Sequence, residues 1–335
     1  VFSLNALPLG GFVKLKGEHD SDTEKGSFGA ATTWAKTKIM VAGVAMNLIT
    51  ALVIFTGLAL IGMPKIIDNQ FTVQSDTTPV SSEILVANVT AGSPAAKAGI
   101  EPLDQITALQ IPGYSPVAIT SADKLPQITK QFAGQTADIY YVRDGSENKS
   151  RTKLLTAEQV EASKKTDNPK GYLGIVPTEY VVQKSTWSAP IVAVGFTAQV
   201  TALTFQGLGN ALAGLGSLIV GGVTGNNEAR QNGQTAASEQ VSGPVGIFVI
   251  LKDGSLLGVQ FVLMIIGIIS LTLAIMNILP IPALDGGRLW LLLYYRLVRK
   301  KPLPAKREDA INSVGFLILI GLIILITFVD VQRFF

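Results

Sequence analysis

The sequence predicts an α-helical multi-pass membrane protein with an inserted extracytoplasmic α+β domain. Charged residues are 15 % of the chain against about 25 % in a soluble domain, and the mean hydropathy is +0.40. The charges are also segregated, so that long uncharged apolar runs alternate with polar stretches. Between the first two strong apolar runs lies a polar segment, residues 70–180, rich in strand and turn signals.

Residues 1–36 read as a membrane-associated β-hairpin and loop. Phe2–Lys16 (FSLNALPLGGFVKLK) forms two short extended stretches around Pro-Leu-Gly-Gly, because Pro and Gly interrupt helix and strand alike. Val13 and Leu15 share one face of the second stretch, and Lys14 and Lys16 share the other. An acidic loop follows over 17–33. Residues 37–64 are read as a transmembrane helix, since Ile39–Met63 carries no charge and is flanked by Lys36, Lys38 and Lys65. At ~1.5 Å per residue, such a run crosses a hydrocarbon core of about 30 Å.

Within residues 70–180, Glu83–Val89 is strand-like and Gly92–Ile100 (GSPAAKAGI) is a turn entering a short helix. Pro94 suits its first position and Gly99 its stop. Asp104–Leu109 follows as a strand, Ala137–Arg143 and Thr152–Leu155 pair around Asp144-Gly145, and Gly171–Ile175 closes the domain as a strand. Residues 186–243 are expected to be an amphipathic helix and linker, with Phe205, Leu208, Leu212, Leu215 and Ile219 recurring at spacings of three and four. Residues 245–287 are read as a transmembrane helix, 288–310 as a basic loop, and 311–330 as a last transmembrane helix.

The net charge of +3 and the lack of a basic tract interleaved with aromatics exclude nucleic acid as a partner. The chain has no cysteine, so disulfides and thiolate metal sites are excluded as well. It starts at Val1 without a signal peptide, and the expectation is an N-terminal truncation.

Asp285 is the candidate for chemistry. A carboxylate at the end of an apolar helix costs roughly 2.5–3.5 kcal/mol at mid-membrane and demands a compensating partner. Pro280 and Pro282 stop the helix from continuing regularly, Gly286 and Gly287 allow close backbone approach, and broken backbone at membrane depth belongs where it lines a cavity. Two readings stand side by side: a metal or cavity site, and an interfacial ion pair of Asp285 with Arg288 or Arg296.

Asn277–Gly287 (NILPIPALDGG) resembles the Asn-x-x-Pro-x-Pro-x-Leu-Asp-Gly motif of site-2 proteases, the intramembrane zinc metalloproteases. Phe2–Glu18 resembles the hairpin that follows the catalytic helix in bacterial members. Ser242–Ile247 (SGPVGI) resembles a further family segment, and residues 83–176 are similar to the family's extracytoplasmic PDZ domain. The resemblance implies a zinc ligand at Asp285, and substrate positioning by Asn277, Pro280 and Pro282 with Val13 and Leu15 of the hairpin; a helix–helix hydrogen bond for Asn277 and packing of the hairpin against the missing helix are the plainer alternatives. It also implies peptide binding at Tyr172, Leu173, Gly174 and Ile175, for which an ordinary edge strand is the plainer alternative. The family's His-Glu-x-x-His is absent, and the lone histidine, His19, reads as a loop residue. The expectation is therefore an inactive fragment of an enzyme, lacking two histidine ligands of its zinc.

The implied partners are the lipid bilayer and membrane-spanning protein substrates, such as anti-sigma-factor-like regulators or signal-peptide remnants. The implied location is the inner (plasma) membrane, and the implied process is regulated intramembrane proteolysis. The competing reading is a non-catalytic scaffold that binds partners through the PDZ-like domain. Charge gives an independent constraint on topology. Lysines precede the first span, and Arg288, Arg296, Arg299, Lys300, Lys301, Lys306 and Arg307 follow Asp285, so both ends belong on the cytoplasmic side. An even number of crossings between them leaves residues 190–220 lying on the outer face.

Overall fold

The computed structural model describes residues 24–166, 169–224, 226, 243–300 and 304–334. The expected hairpin with Val13 and Leu15, and His19, lie outside the described residues. The chain divides into two compact units: Val1–Ala51 with Val200–Phe248 and Ile268–Phe335, and Leu52–Gln199 with Val249–Gly267.

Four helices are long and apolar enough to cross a membrane, over Thr33–Ile61, Ala189–Gly214, Val259–Ile278 and Lys306–Phe328. They belong to α1 (Thr33–Ile61), α5 (Ala189–Thr224), α7 (Val259–Ile278) and α9 (Ala305–Phe334). The sequence reading counts three spans and lays the α5 region on the surface. Its three amides, Gln199, Gln206 and Asn210, do not interrupt a helix whose remaining side chains are mostly apolar. Thr32 Oγ1 accepts the Ala35 N–H at the start of α1 (3.2 Å), and Gly62, at φ +140°, follows its end.

The reading of 245–287 as one helix is corrected. The segment is α6 (Pro244–Gly254), a 3₁₀ turn (Ser255–Leu257), α7, an irregular stretch, and then α8 (Asp285–Leu293). Gly258 at φ +97° separates the turn from α7. Beyond α7, Pro280 and Pro282 have no N–H to donate, and Ala283 sits at φ +73°, so the helix cannot run on. Asp285 therefore begins a helix rather than ending one.

In the second unit, seven strands form one antiparallel sheet: β1 (Met63–Pro64), β2 (Thr78–Val89), β3 (Gln105–Gln110), β4 (Val117–Ala118), β5 (Thr136–Arg143), β6 (Ser146–Lys153) and β7 (Ile175–Lys184). The order is β1-β7-β2-β3-β5-β6, with β4 on β3. The long β2–β7 ladder runs from Thr78↔Lys184 to Val89↔Ile175, with irregularities at Pro79/Ser81 and Val86/Asn88. Val86, Ile106, Leu109, Ile139 and Leu154 form the core with α2 (Pro94–Lys97) and α3 (Lys124–Gln131). Pro94 opens α2 and Ser93 Oγ caps it through the Ala96 N–H (3.2 Å). Asp144 and Gly145 both have positive φ, as a two-residue hairpin between β5 and β6 requires. A capping box between Thr156 and Gln159 starts α4 (Ala157–Ser163).

Two buried carboxylates are compensated by arginine. Arg143 donates to both oxygens of Asp104 (2.6 and 2.7 Å), and this hydrogen bonding holds the guanidinium above its ordinary range against the opposing effect of burial. Hydrogen bonds from Arg151 and then Lys149 hold the Asp138 carboxyl well below the usual range, although burial opposes them.

Asp76, just before β2, accepts the backbone N–H groups of Thr186 (2.8 Å) and Ser188 (3.0 Å) and both side-chain hydroxyls, fixing the chain where α5 begins. Burial would raise this carboxyl, but the bonds from Ser188 and Thr186 together bring it well below the usual range. In the same unit Phe55 of α1 and Phe196 of α5 meet edge to face (4.9 Å), and a side chain on Gly267 of α7 would fall 2.5 Å from the Phe55 ring.

Candidate functional site: the Asp285 cleft

The site is built where α7 stops. Ile281 N–H bonds to the Leu279 carbonyl (2.8 Å) and Leu284 N–H to that of Ile281 (3.2 Å), so the stretch folds back tightly. A non-glycine residue at positive φ is uncommon, and Ala283 makes the reversal there. Leu284 is extended (φ −97°, ψ 161°) and Asp285 then occupies the first turn of α8. A carboxylate at a helix start is favoured by the free N–H groups and the aligned peptide dipoles.

The two glycines after Asp285 have a steric reason. A Cβ on Gly286 would lie 2.2 Å from the Leu279 carbonyl oxygen, and one on Gly287 would lie 2.2 Å from that of Ile281. Only glycine lets the start of α8 lie directly on the broken backbone. Trp290 Nε1 donates to the Ile278 carbonyl (2.9 Å), satisfying a group that the end of α7 leaves without a helical partner. From α9, Gly315 admits Pro282, since its Cβ would be 2.4 Å from Pro282 Cβ. From α1, Gly43 faces the carboxylate: its Cβ would be 3.9 Å from Asp285 Oδ2.

These elements enclose a cleft of about 590 Å³ lined by Ala283, Leu284, Asp285, Arg288, Asn312 and Phe316, among others. Arg288, one turn after Asp285, turns to α9: its Nε lies 2.6 Å from Glu308 Oε1, and its guanidinium stands over the Phe28 ring (5.5 Å). Glu308 is buried. Among the described residues, no cation or hydrogen-bond donor meets the Asp285 carboxylate. The expected alternative, an Asp285–Arg288 pair, is therefore not formed. An acceptor-only group with a preorganised backbone and open space in front of it is suited to a cation or a metal.

A catalytic zinc takes about three protein ligands and keeps a position open for water. Among the described residues no three His, Cys, Asp or Glu side chains come together to hold a metal. Asp285 offers a single ligand, the described residues do not complete a zinc site, and no reaction step follows from them through one.

The break lays Pro282 against Gly287, while Pro280 is exposed. Asn277 is half-buried in the last turn of α7, and its carbonyl oxygen lies 2.8 Å from where a Gly286 Cβ would stand. Tyr172–Ile175 belong to the other unit. Residues 171–174 are loop rather than the expected strand, which starts only at Ile175. The cause is Gly174: at φ +80°, with its missing Cβ only 2.2 Å from Ser93 Cβ, it turns the chain against α2. Leu173 is buried in the core and its carbonyl accepts the Ala95 N–H (3.0 Å). β1 pairs only with Val182 and Gln183 of β7, so among the described residues the outer edge of β7 from Ile175 to Tyr180 has no strand beside it.

Sequence reasoning missed Gly43, Glu308, Asn312 and Gly315. The signal for the last two was present as polar and glycine interruptions of an apolar run, and which of them faced a site depended on packing.

The profile of Peptidase family M50 matches residues 1–322. A Clostridium perfringens protein that carries a zinc metalloprotease name is 29 % identical over 98 % of this chain and 83 % of its own length. Zinc metalloprotease RasP of Shouchella clausii is 29 % identical over 93 % of this chain, which spans 62 % of that relative. A Staphylococcus aureus protein of similar name is 29 % identical over 90 % of this chain and 60 % of its own length. With four apolar helices of spanning length and a match over nearly its whole length, this multi-pass membrane protein belongs to peptidase family M50.

Proposed function

We propose that this chain is the greater part of a site-2-type intramembrane zinc protease that cuts the transmembrane segments of membrane proteins already cut once outside the bilayer. The observation that carries the reading is Asp285, which the broken backbone presents at the start of α8, facing a cleft, while its neighbouring arginine is engaged by Glu308. Asp285 would be one zinc ligand. The sequence contains a single histidine and no His-Glu-x-x-His, so the two remaining ligands and the proton-accepting glutamate belong to a segment outside it, and the polypeptide alone is inactive. Bound zinc would supply an acidified water. The chain's own residues would hold the carboxylate in place and present Asn277 and the Pro280–Pro282 break to an unwound substrate, with Val13 and Leu15 holding a further extended stretch.

The seven-stranded sheet supports the reading of a PDZ-like domain, and the charge pattern supports its position outside the cytoplasm. The outer edge of β7 from Ile175 to Tyr180, which has no strand beside it among the described residues, suits an added peptide strand, with Tyr172–Ile175 at its start. Anti-sigma-factor-like regulators and signal-peptide remnants are the proposed substrates, in regulated intramembrane proteolysis at the inner membrane. The basic residues on both sides of the spans favour an α5 that lies on the outer face without crossing, although it is long and apolar enough to span. The test is cleavage of a tagged single-span protein by the intact membrane protein. Asp285→Ala should insert normally and cleave nothing, and wild-type turnover by that variant would refute the assignment.

A further inference from the structure

The Asp285 motif leaves one polar group in the cleft unexplained, the carboxamide of Asn312 on α9. Its Oδ1 is shielded from solvent and has no hydrogen-bond partner among the described residues, and the residue lines the same cleft as Asp285 and Arg288. A buried amide oxygen without a partner costs about 1–3 kcal/mol. An apolar residue would avoid that cost, and apart from Ser313 and Gly315 the neighbouring positions, Ile311, Val314, Phe316 and Leu317, are apolar. The group therefore points to an occupant of the cleft.

The surroundings indicate what that occupant is. Apart from Ser313 the other walls are Ala283, Leu284, Phe316 and Leu317, which suit an apolar chain. Among the described residues of the lining, the cation is Arg288, and it is taken by Glu308 (2.6 Å), which disfavours an anionic headgroup. A neutral carboxamide is the complement of a neutral peptide group, whichever way round the amide lies. A transmembrane helix that unwinds for cleavage exposes N–H and C=O groups, and in hydrocarbon each costs several kcal/mol until it finds a partner.

We propose that Asn312 is a substrate-binding residue whose carboxamide hydrogen-bonds the backbone of an unwound transmembrane segment lying in the cleft beside Asp285. The assignment rests on the proteolytic reading above. It divides the cleft in function: Asp285 toward the metal, Asn312 toward the peptide backbone, and the apolar walls toward the substrate's side chains.

The experiment uses the intact membrane-inserted protein and, as probe, a tagged single-span polypeptide whose apolar segment is weakened by a central Gly-Pro pair. Asn312→Leu should raise KM about tenfold with kcat nearly unchanged, as loss of one hydrogen bond formed on binding predicts, and Asn312→Gln should restore most of it. A photo-crosslinking residue at position 312 of an Asp285→Asn protein should capture the probe. The same residue at position 324, on a strongly exposed face of α9, should not. Cleavage with unchanged KM in Asn312→Leu and no adduct at 312 overturns the Asn312 assignment alone. No cleavage by the wild-type protein together with no adduct from position 312 overturns the proteolytic reading and this assignment with it.

Discussion

Gly287→Ala adds one methyl group where the structure has no room for it. The new Cβ would stand 2.2 Å from the Ile281 carbonyl oxygen, 2.7 Å from its carbon and 3.0 Å from Pro282 Cα. All three are backbone atoms, so no side chain can rotate away. The contact must open by about 1 Å, at an overpacking cost of about 1–3 kcal/mol, and the parts free to give are the start of α8 and the break before it. Asp285 rides on both. A displacement of ~1 Å at a reacting centre costs on the order of 10²-fold in rate. The assay is turnover of a single-span substrate by the intact protein, alongside its melting temperature in detergent. Gly321→Ala on α9 is the control, because nothing lies within 4 Å of its added Cβ. Gly287→Ala should lose activity about a hundredfold and Gly321→Ala none. Equal activity in the two variants would show that Asp285 is not positioned by this contact.

Other outcomes follow from single contacts. Asp330, buried near the end of α9, accepts the Gly246 N–H at the start of α6 (2.8 Å). Asp330→Ala leaves that donor without its acceptor and should lower stability by about 1–3 kcal/mol; an unchanged melting temperature would contradict it. Glu308→Ala removes the carboxylate partner of Arg288 and should cost about 3–5 kcal/mol, while Glu308→Leu with Arg288→Met should recover most of the loss; an equally unstable double variant would refute the pairing. In the sheet unit the folded Asp138 carboxyl lies below its unfolded value. Its contribution is therefore complete above about pH 4 and is lost as pH falls further. Asp138→Asn should flatten the acid limb of a pH–stability curve, and an unaltered limb would contradict this. Burial pushes the Tyr180 phenol up to about 12, so its contribution is complete below about pH 10 and is lost as pH rises through about 12. Tyr180→Phe should remove that alkaline loss, which spectroscopic titration of the folded protein measures.

The legible part of the fold was written in local rules. Pro94 and Gly99 bracket α2, Asp144-Gly145 makes the β5–β6 turn, and an uncharged run flanked by lysines gives α1, each decided by its nearest neighbours. The end of α7 was legible for the same reason, since two prolines cannot continue a helix. That Asp285 starts a new helix was not, because the restart depends on Ala283 turning to positive φ and on two glycines lying against carbonyls of the preceding turn. The β2–β7 ladder joins residues about a hundred positions apart, and nothing local announces it. Asp76 binds the start of α5 across a similar distance. Arg288 looked like the natural partner of Asp285 along the sequence, and only the packing of α9 reveals that Glu308 takes it.

The central claim is that the Asp285 carboxylate is kept available for a metal, and zinc stoichiometry of the purified intact membrane protein tests it most directly. Close to one zinc per polypeptide in the wild type, falling toward none in Asp285→Ala while the variant stays inserted and folded, is the predicted result. Zinc retained in full by that variant, or absent from an active wild-type protein, would contradict it.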